Sequence, residues 1–192
     1  MNRLFLVAAL LLAACSMPAP APRPPLEGAR IGGPFTLTDQ YGATVTDRSY
    51  PGQFRIMYFG YAYCPDVCPT DVANLARGLK AFAKEHPARG KKVKLIFISV
   101  DPARDTPAVL KDFSAAFHPE MIGLTGSQKA IDDVTRAYGV SVSIAPDQPK
   151  DSYLVDHSRA AYLMSPDNKP IALLPQDGTA QEIASEIGKW VP

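Results

Sequence analysis

Two stretches of the chain are apolar on both parities of a strand. Arg55–Tyr61 (RIMYFGY) and Val93–Val100 (VKLIFISV) have the pattern of strands covered on both faces in the middle of a sheet. Between them, Cys68, Val72, Leu75, Leu79 and Phe82 recur at alternating spacings of four and three, while Asp71, Lys80, Lys84 and Glu85 fall between. This spacing predicts an amphipathic helix whose apolar stripe faces the sheet. Cys64, one further step of four back, heads the same stripe, so both thiols are expected at the helix N-terminal end on the sheet side. Pro65 suits an early helical position, and Pro69 is tolerable while it remains in the first turn.

Shorter patterns fill in the rest. Phe35–Thr38 and Thr44–Thr46 are β-favouring runs around a turn with Gly42, which predicts an opening hairpin. In DPARDTPAVLKDFSAAF, Asp105 or Thr106 caps a helix that starts near Pro107 and buries Val109, Leu110, Phe113 and Phe117. IGLTG reads as a short strand and SQKAIDDVTRAYG as a helix closed by Gly139. YLVDHSRAAYLMSPDNKPIALLP reads as two strands around a Pro-Asp-Asn turn, and TAQEIASEIGKW as a last helix. Strands and helices alternate, then an antiparallel pair follows, then a helix. That order fits an α/β, thioredoxin-like fold: a mixed central sheet flanked by helices, with an N-terminal hairpin.

The N-terminus sets the compartment. The apolar run Leu4–Ala14 behind Arg3 is too short to span a bilayer but suits the core of a secretory signal. Ala13 and Ala14 directly before Cys15 resemble a bacterial lipobox, in which the cysteine is lipidated and begins the mature chain. Residues Ser16–Pro25 (SMPAPAPRPP) are an extended tether. The expected organisation is a lipoprotein signal peptide over 1–14, a lipidated N-terminus and proline-rich tether over 15–30, and one domain over 31–192. With Cys15 assigned to lipid, the chain's three cysteines leave Cys64 and Cys68 as an isolated pair. Losing Arg3 with the signal takes 20 Lys+Arg to 19, against 19 Asp+Glu, and a near-neutral domain has no footprint for nucleic acid. The domain is long enough to hold a core without a covalent staple.

Thiols four apart on a helix can form a disulfide or share one metal ion, and geometry alone does not choose. A pure redox exchanger needs no further metal-capable side chain, whereas a metal site does. Of the three histidines, His86 lies in a solvated charge run and His118 at a helix end, where it can satisfy the last carbonyls. His157 lies in a strand pattern, with Tyr153 and Val155 on its face and Leu154, Asp156 and Ser158 on the other.

Taken together, FGYAYCPDVCPTD, ISVDPARDTP and YLVDHSRAAYLMSPD resemble, in order and spacing, the SCO (SCO/SenC/PrrC) family of copper-binding assembly proteins for cytochrome c oxidase. The resemblance runs from about Phe35 to the C-terminal helix. It implies a thioredoxin fold in which Cys64, Cys68 and His157 bind one copper ion, and in which the same cysteine pair forms a reversible disulfide. It departs from the family at Tyr63, where histidine is more usual beside the first cysteine. The chemistry agrees: two thiolates and an imidazole are a soft three-donor set suited to Cu(I), while structural zinc wants a fourth ligand and an iron–sulfur cluster more cysteines.

The functional expectation is a metallochaperone and thiol–disulfide protein, lipid-anchored on the periplasmic side of a bacterial membrane. It would serve assembly of the binuclear copper centre rather than act as a turnover enzyme. Its expected partners are the copper-accepting oxidase subunit or another periplasmic copper protein, a thiol reductant, and the membrane itself. Asp101, after the central strand, and Asp156, beside the histidine, are the candidate acids to orient His157. Ser143–Ser152 (SIAPDQPKDS) is expected to be a mobile loop that lets His157 close over the thiols. The rivals are a thiol–disulfide oxidoreductase, a peroxidase-like enzyme with Cys64 as nucleophile, and a redox or copper sensor.

Overall fold

The computed structural model describes residues 22–149 and 152–192. The expected signal peptide, Cys15 and the first part of the tether lie outside the described residues. Among the described residues, no helix is long and apolar enough to cross a membrane.

The opening hairpin is β1 (Thr36–Asp39) and β2 (Thr44–Thr46), turned through Gly42 at φ 85°. Then come β3 (Phe54–Gly60), α1 (Val67–Glu85), a single turn α2 (Pro87–Gly90) and β4 (Val93–Ser99). Next are α3 (Pro107–Phe117), β5 (Ile122–Thr125), α4 (Gln128–Ala137), β6 (Val142–Ile144) and β7 (Val155–His157). The chain ends with β8 (Ala161–Met164), β9 (Pro170–Leu174) and α5 (Ala180–Trp190). One sheet of seven strands has the order β2-β1-β5-β4-β3-β8-β9, with β3, β4 and β5 parallel and the rest antiparallel to their neighbours. This is the thioredoxin-like arrangement. All seven residues of β3 are buried, as a run apolar on both parities requires in a central strand.

The two faces of β3 carry different partners. Tyr58 stacks on Phe97 of β4, which meets Phe113 of α3, so this face is covered by α1 and α3. Phe59, on the opposite face, packs on Tyr138 at the end of α4. Helix α5 lies against α1 at a close crossing, where a Cβ on Gly78 would come within 2.3 Å of Ile183. The chain is already packed at Leu26, whose side chain meets the core and whose N–H donates to the Ile171 carbonyl at 3.0 Å, ahead of Ile31 where the sequence pattern begins.

The structure departs from the sequence reading in two places. The segment around His157 is not one strand running into β8: it breaks at Ser158–Ala160, and β7 instead pairs with β6 in a separate two-stranded ribbon. Ser143 and Ile144, expected in a mobile loop, are therefore strand residues. The sequence does not mark them, because all three residues of β6 are exposed and show no burial alternation. Secondly, α1 begins at Val67, so Cys64 and Pro65 stand outside the helix.

Candidate metal centre

Strands β3 and β4 run parallel, so the loop after Gly60 and the loop after Ser99 emerge at one edge of the sheet. The first loop carries Cys64. Asp66, at the helix start, has φ −143° and its side chain makes no capping hydrogen bond. Sulfur takes part of that role, since the Cys68 N–H donates to Cys64 Sγ at 3.4 Å. Pro69, in the first turn, has no N–H to leave unpaired.

The two thiols are therefore unlike. Burial works against ionising Cys64, but the N–H groups of Cys68, Asp66 and Val67 outweigh it and hold this thiol below its ordinary value. Cys68 is fully buried, and burial pushes its thiol up to about 12, with the nearby Cys64 charge acting in the same direction. Cys64 is the more reactive thiol at neutral pH. It opens on a groove of about 270 Å³ shared with Tyr61, Pro65, Leu154 and His157. Gly60 lets α1 come this close to the sheet: a Cβ there would stand 3.1 Å from Cys68 Sγ and 3.0 Å from the Tyr58 ring.

His157 closes the site from the ribbon side. Its Nε2 lies 3.2 Å from Cys68 Sγ and its Nδ1 3.1 Å from the Ser158 carbonyl oxygen. A carbonyl only accepts, so the network assigns the proton to Nδ1 and leaves the Nε2 lone pair facing sulfur. Burial also lowers the His157 pKa, which favours the neutral, ligating form. Tyr58 and Tyr61 hold the ring edge-on, at 6.4 and 6.1 Å between centroids. Cys68 and His157 are thus in direct hydrogen-bond contact. A trigonal ion with bonds of about 2.3 Å to sulfur and 2.0 Å to nitrogen would hold them about 3.7 Å apart, so an ion needs a small outward shift of the ring. In keeping with this, no three metal-type side chains among the described residues are already spaced to enclose an ion.

Neither candidate acid touches His157. Asp156 is exposed and makes no hydrogen bond to the ring, although it borders the same groove. Asp101 accepts the Tyr153 hydroxyl at 2.6 Å and pairs with Arg104. The group that orients His157 is the Ser158 backbone carbonyl, for which no side-chain signal exists in a sequence. His86 and His118 lie away from the centre. His118 Nδ1 accepts the Glu120 N–H at 3.2 Å, a local role.

Two buried carboxylates, Asp71 and Asp105, support the site in roles the sequence does not reveal. Asp71, fully buried, accepts the Tyr58 hydroxyl at 2.8 Å and a two-pronged contact from Arg159, at 3.0 Å to Nε and 2.7 Å to the terminal nitrogen. The apolar spacing sets Asp71 between the stripe positions, but standing three residues after Cys68 and four before Leu75 it faces the same side and is buried there, where a carboxylate needs a cation. Of the two expected caps, Asp105 and Thr106, it is Thr106 that caps α3, and Asp105 turns inward to accept the Ser99 hydroxyl at 2.6 Å and the Ala62 N–H at 2.9 Å, steadying the loop before Cys64.

Burial raises the Asp105 carboxyl from its ordinary 3.8 to about 6. The folded protein therefore binds this proton more tightly than the unfolded chain does. The resulting stabilisation is fully present below pH 3.8 and is lost as pH rises through about 6. Compared with Asp105→Asn, the parent should gain about 2–3 kcal/mol of relative stability on going from pH 7 to pH 3.5. Urea unfolding of both proteins across that range checks it, and parallel pH profiles would refute the assignment.

Residues 23–192 match the family model described as SCO1/SenC. The chain is 45% identical over 161 residues to Protein SenC of Rhodobacter capsulatus, covering 83% of this chain and 70% of that one. It is 37% identical to Protein sco1 of Schizosaccharomyces pombe, with 84% of this chain aligned but only 61% of the relative's length spanned. Among solved structures, Bradyrhizobium japonicum ScoI with copper bound superposes with a TM-score of 0.75 at 39% identity, covering 83% of this chain and 99% of that one. A structure described by a disulfide switch in BsSco, a Sco-family cytochrome c oxidase assembly protein, matches with a TM-score of 0.60 at 26% identity over 84% of this chain and 94% of that one. The match extends from Arg23 to the C-terminus and takes in the cysteine loop, the Asp101 loop and the histidine ribbon, so the chain belongs to the SCO1/SenC family.

Proposed function

We propose that Cys64, Cys68 and His157 form a copper site and that the protein carries copper for assembly of the binuclear copper centre of a respiratory oxidase. The observation that carries this reading is the Nε2 lone pair of His157 aimed at a buried thiol, with a second, acidified thiol beside it. Two sulfurs and one neutral imidazole suit Cu(I), and the edge-on packing of Tyr58 and Tyr61 against the ring holds the imidazole in place. The copper in the Bradyrhizobium relative supports the choice of metal.

The thiols must be reduced to hold the ion, so oxidation of the pair to a disulfide would gate loading. The switch named for the BsSco relative supports this second state of the same centre. A lipid on Cys15 and the proline-rich tether would hold the domain at the periplasmic side of a bacterial membrane, within reach of the copper-accepting oxidase subunit and a thiol reductant. The exposure and lowered pKa of Cys64 also suit thiol–disulfide exchange with that subunit.

A deletion strain tests the assembly role. Oxidase activity at limiting copper should fall and be restored by the parent gene but not by Cys64→Ala. Unchanged activity in the deletion strain would remove the role.

A further inference from the structure

Ribbon β6–β7 makes no ladder with the seven-stranded sheet, so its place over the thiols depends on side chains. On the far side of His157, Arg159 ties the chain to Asp71. On the near side, Tyr153 reaches the loop after β4: its hydroxyl donates to Asp101 Oδ1 at 2.6 Å, and Arg104 bonds the other oxygen of the same carboxylate. The Arg104 guanidinium carbon also lies 3.6 Å from the centre of the Tyr153 ring, and 5.6 and 5.3 Å from the rings of Tyr61 and Tyr63. Asp101 is 3% exposed and its own N–H donates to Ser99 Oγ at 3.0 Å, so the anchor is rigid. A tyrosine held both at its hydroxyl and across its face, four residues before His157, fixes where β7 begins.

We propose that Tyr153 and Arg104 are positioning residues of the metal centre: they clamp the start of β7 to the end of β4 and thereby set where His157 Nε2 lies over Cys68. Asp101 thus acts on the histidine through Tyr153 and not by contact. The inference rests on the copper reading for its effect on affinity, while the clamp itself has a metal-free readout.

The test compares the parent, Tyr153→Phe, Arg104→Gln and His157→Ala, with each clamp variant also built in the His157→Ala background. Tyr153→Phe removes only the hydroxyl. Cu(I) affinity, measured by competition with a chromogenic chelator, should fall about tenfold in each clamp variant. It should not fall further when His157 is already alanine. In copper-free reduced protein, hydrogen exchange at the Val155–His157 amides and alkylation of Cys68 should each accelerate about tenfold, with β3 and β4 amides unchanged. An equal affinity loss in the His157→Ala background, or unaltered exchange in β7, would overturn the clamp. If His157→Ala alone leaves affinity intact, the three-ligand reading falls, and the exchange data alone decide whether the clamp holds β7.

Discussion

Replacing His157 with alanine is expected to weaken Cu(I) binding by about two orders of magnitude while leaving Cys64 and Cys68 able to form a disulfide. A soft metal held by protein ligands at neutral pH is worth on the order of 10 kcal/mol, and one ligand of three accounts for about 3 kcal/mol, which is about 100-fold. The loss should be larger than for a surface histidine because the Nε2 lone pair is already directed at Cys68 Sγ by the Nδ1–H bond to Ser158. Titration of reduced protein with Cu(I) against a competing chelator measures it, with Cys64→Ala and Cys68→Ala as references. If the variant bound copper as tightly and with the same spectrum as the parent, the three-ligand proposal would fail.

Arg159→Ala should be strongly destabilising although it leaves all three proposed ligands in place. It strips the cation from Asp71, whose side chain is 1% exposed, and leaves a buried carboxylate with only the Tyr58 hydroxyl. Breaking such a pair from one side costs about 3 kcal/mol at the lower end of the usual range, appropriate because Arg159 itself is 44% exposed. For a chain of 192 residues this corresponds to a fall in Tm of about 9 °C. Replacing both partners, Asp71→Leu with Arg159→Met, should recover much of the loss, since neither then leaves a charge stranded. Differential scanning calorimetry on the apo protein reads both, and an unchanged Tm in Arg159→Ala would show that the pair contributes nothing to the fold.

The periodic parts of the molecule were legible in its sequence. Strands β3 and β4, the α1 stripe and the capped helices α4 and α5 follow from spacing that burial enforces. Cys64 fitted the helical stripe by arithmetic, yet lies before the helix because the chain at Asp66 is not helical and the sulfur is used to receive the Cys68 amide. The ribbon is hidden in the sequence because its strands are three residues each, those of β6 all exposed and those of β7 with one buried position, a pattern too short to recognise, although Gln148 helps tie its far end through both the N–H and the carbonyl of Leu154. The three candidate ligands could be named because sulfur and imidazole chemistry is written in residue types. What orients them could not, since it is a backbone carbonyl at Ser158 and two acids buried for reasons of tertiary contact.

The separation of the ribbon from the main sheet has a kinetic consequence. Lifting His157 away from Cys68 breaks no hydrogen bond of the seven-stranded ladder, so the centre can open without unfolding the frame that holds both sulfurs. Opening of this kind draws on the low end of the local-stability range, well below the global unfolding free energy. Movement of the ribbon over the thiols then falls on the microsecond-to-second scale of loop and lid movements. Movement of the histidine and retention of the two sulfurs thus depend on different parts of the chain.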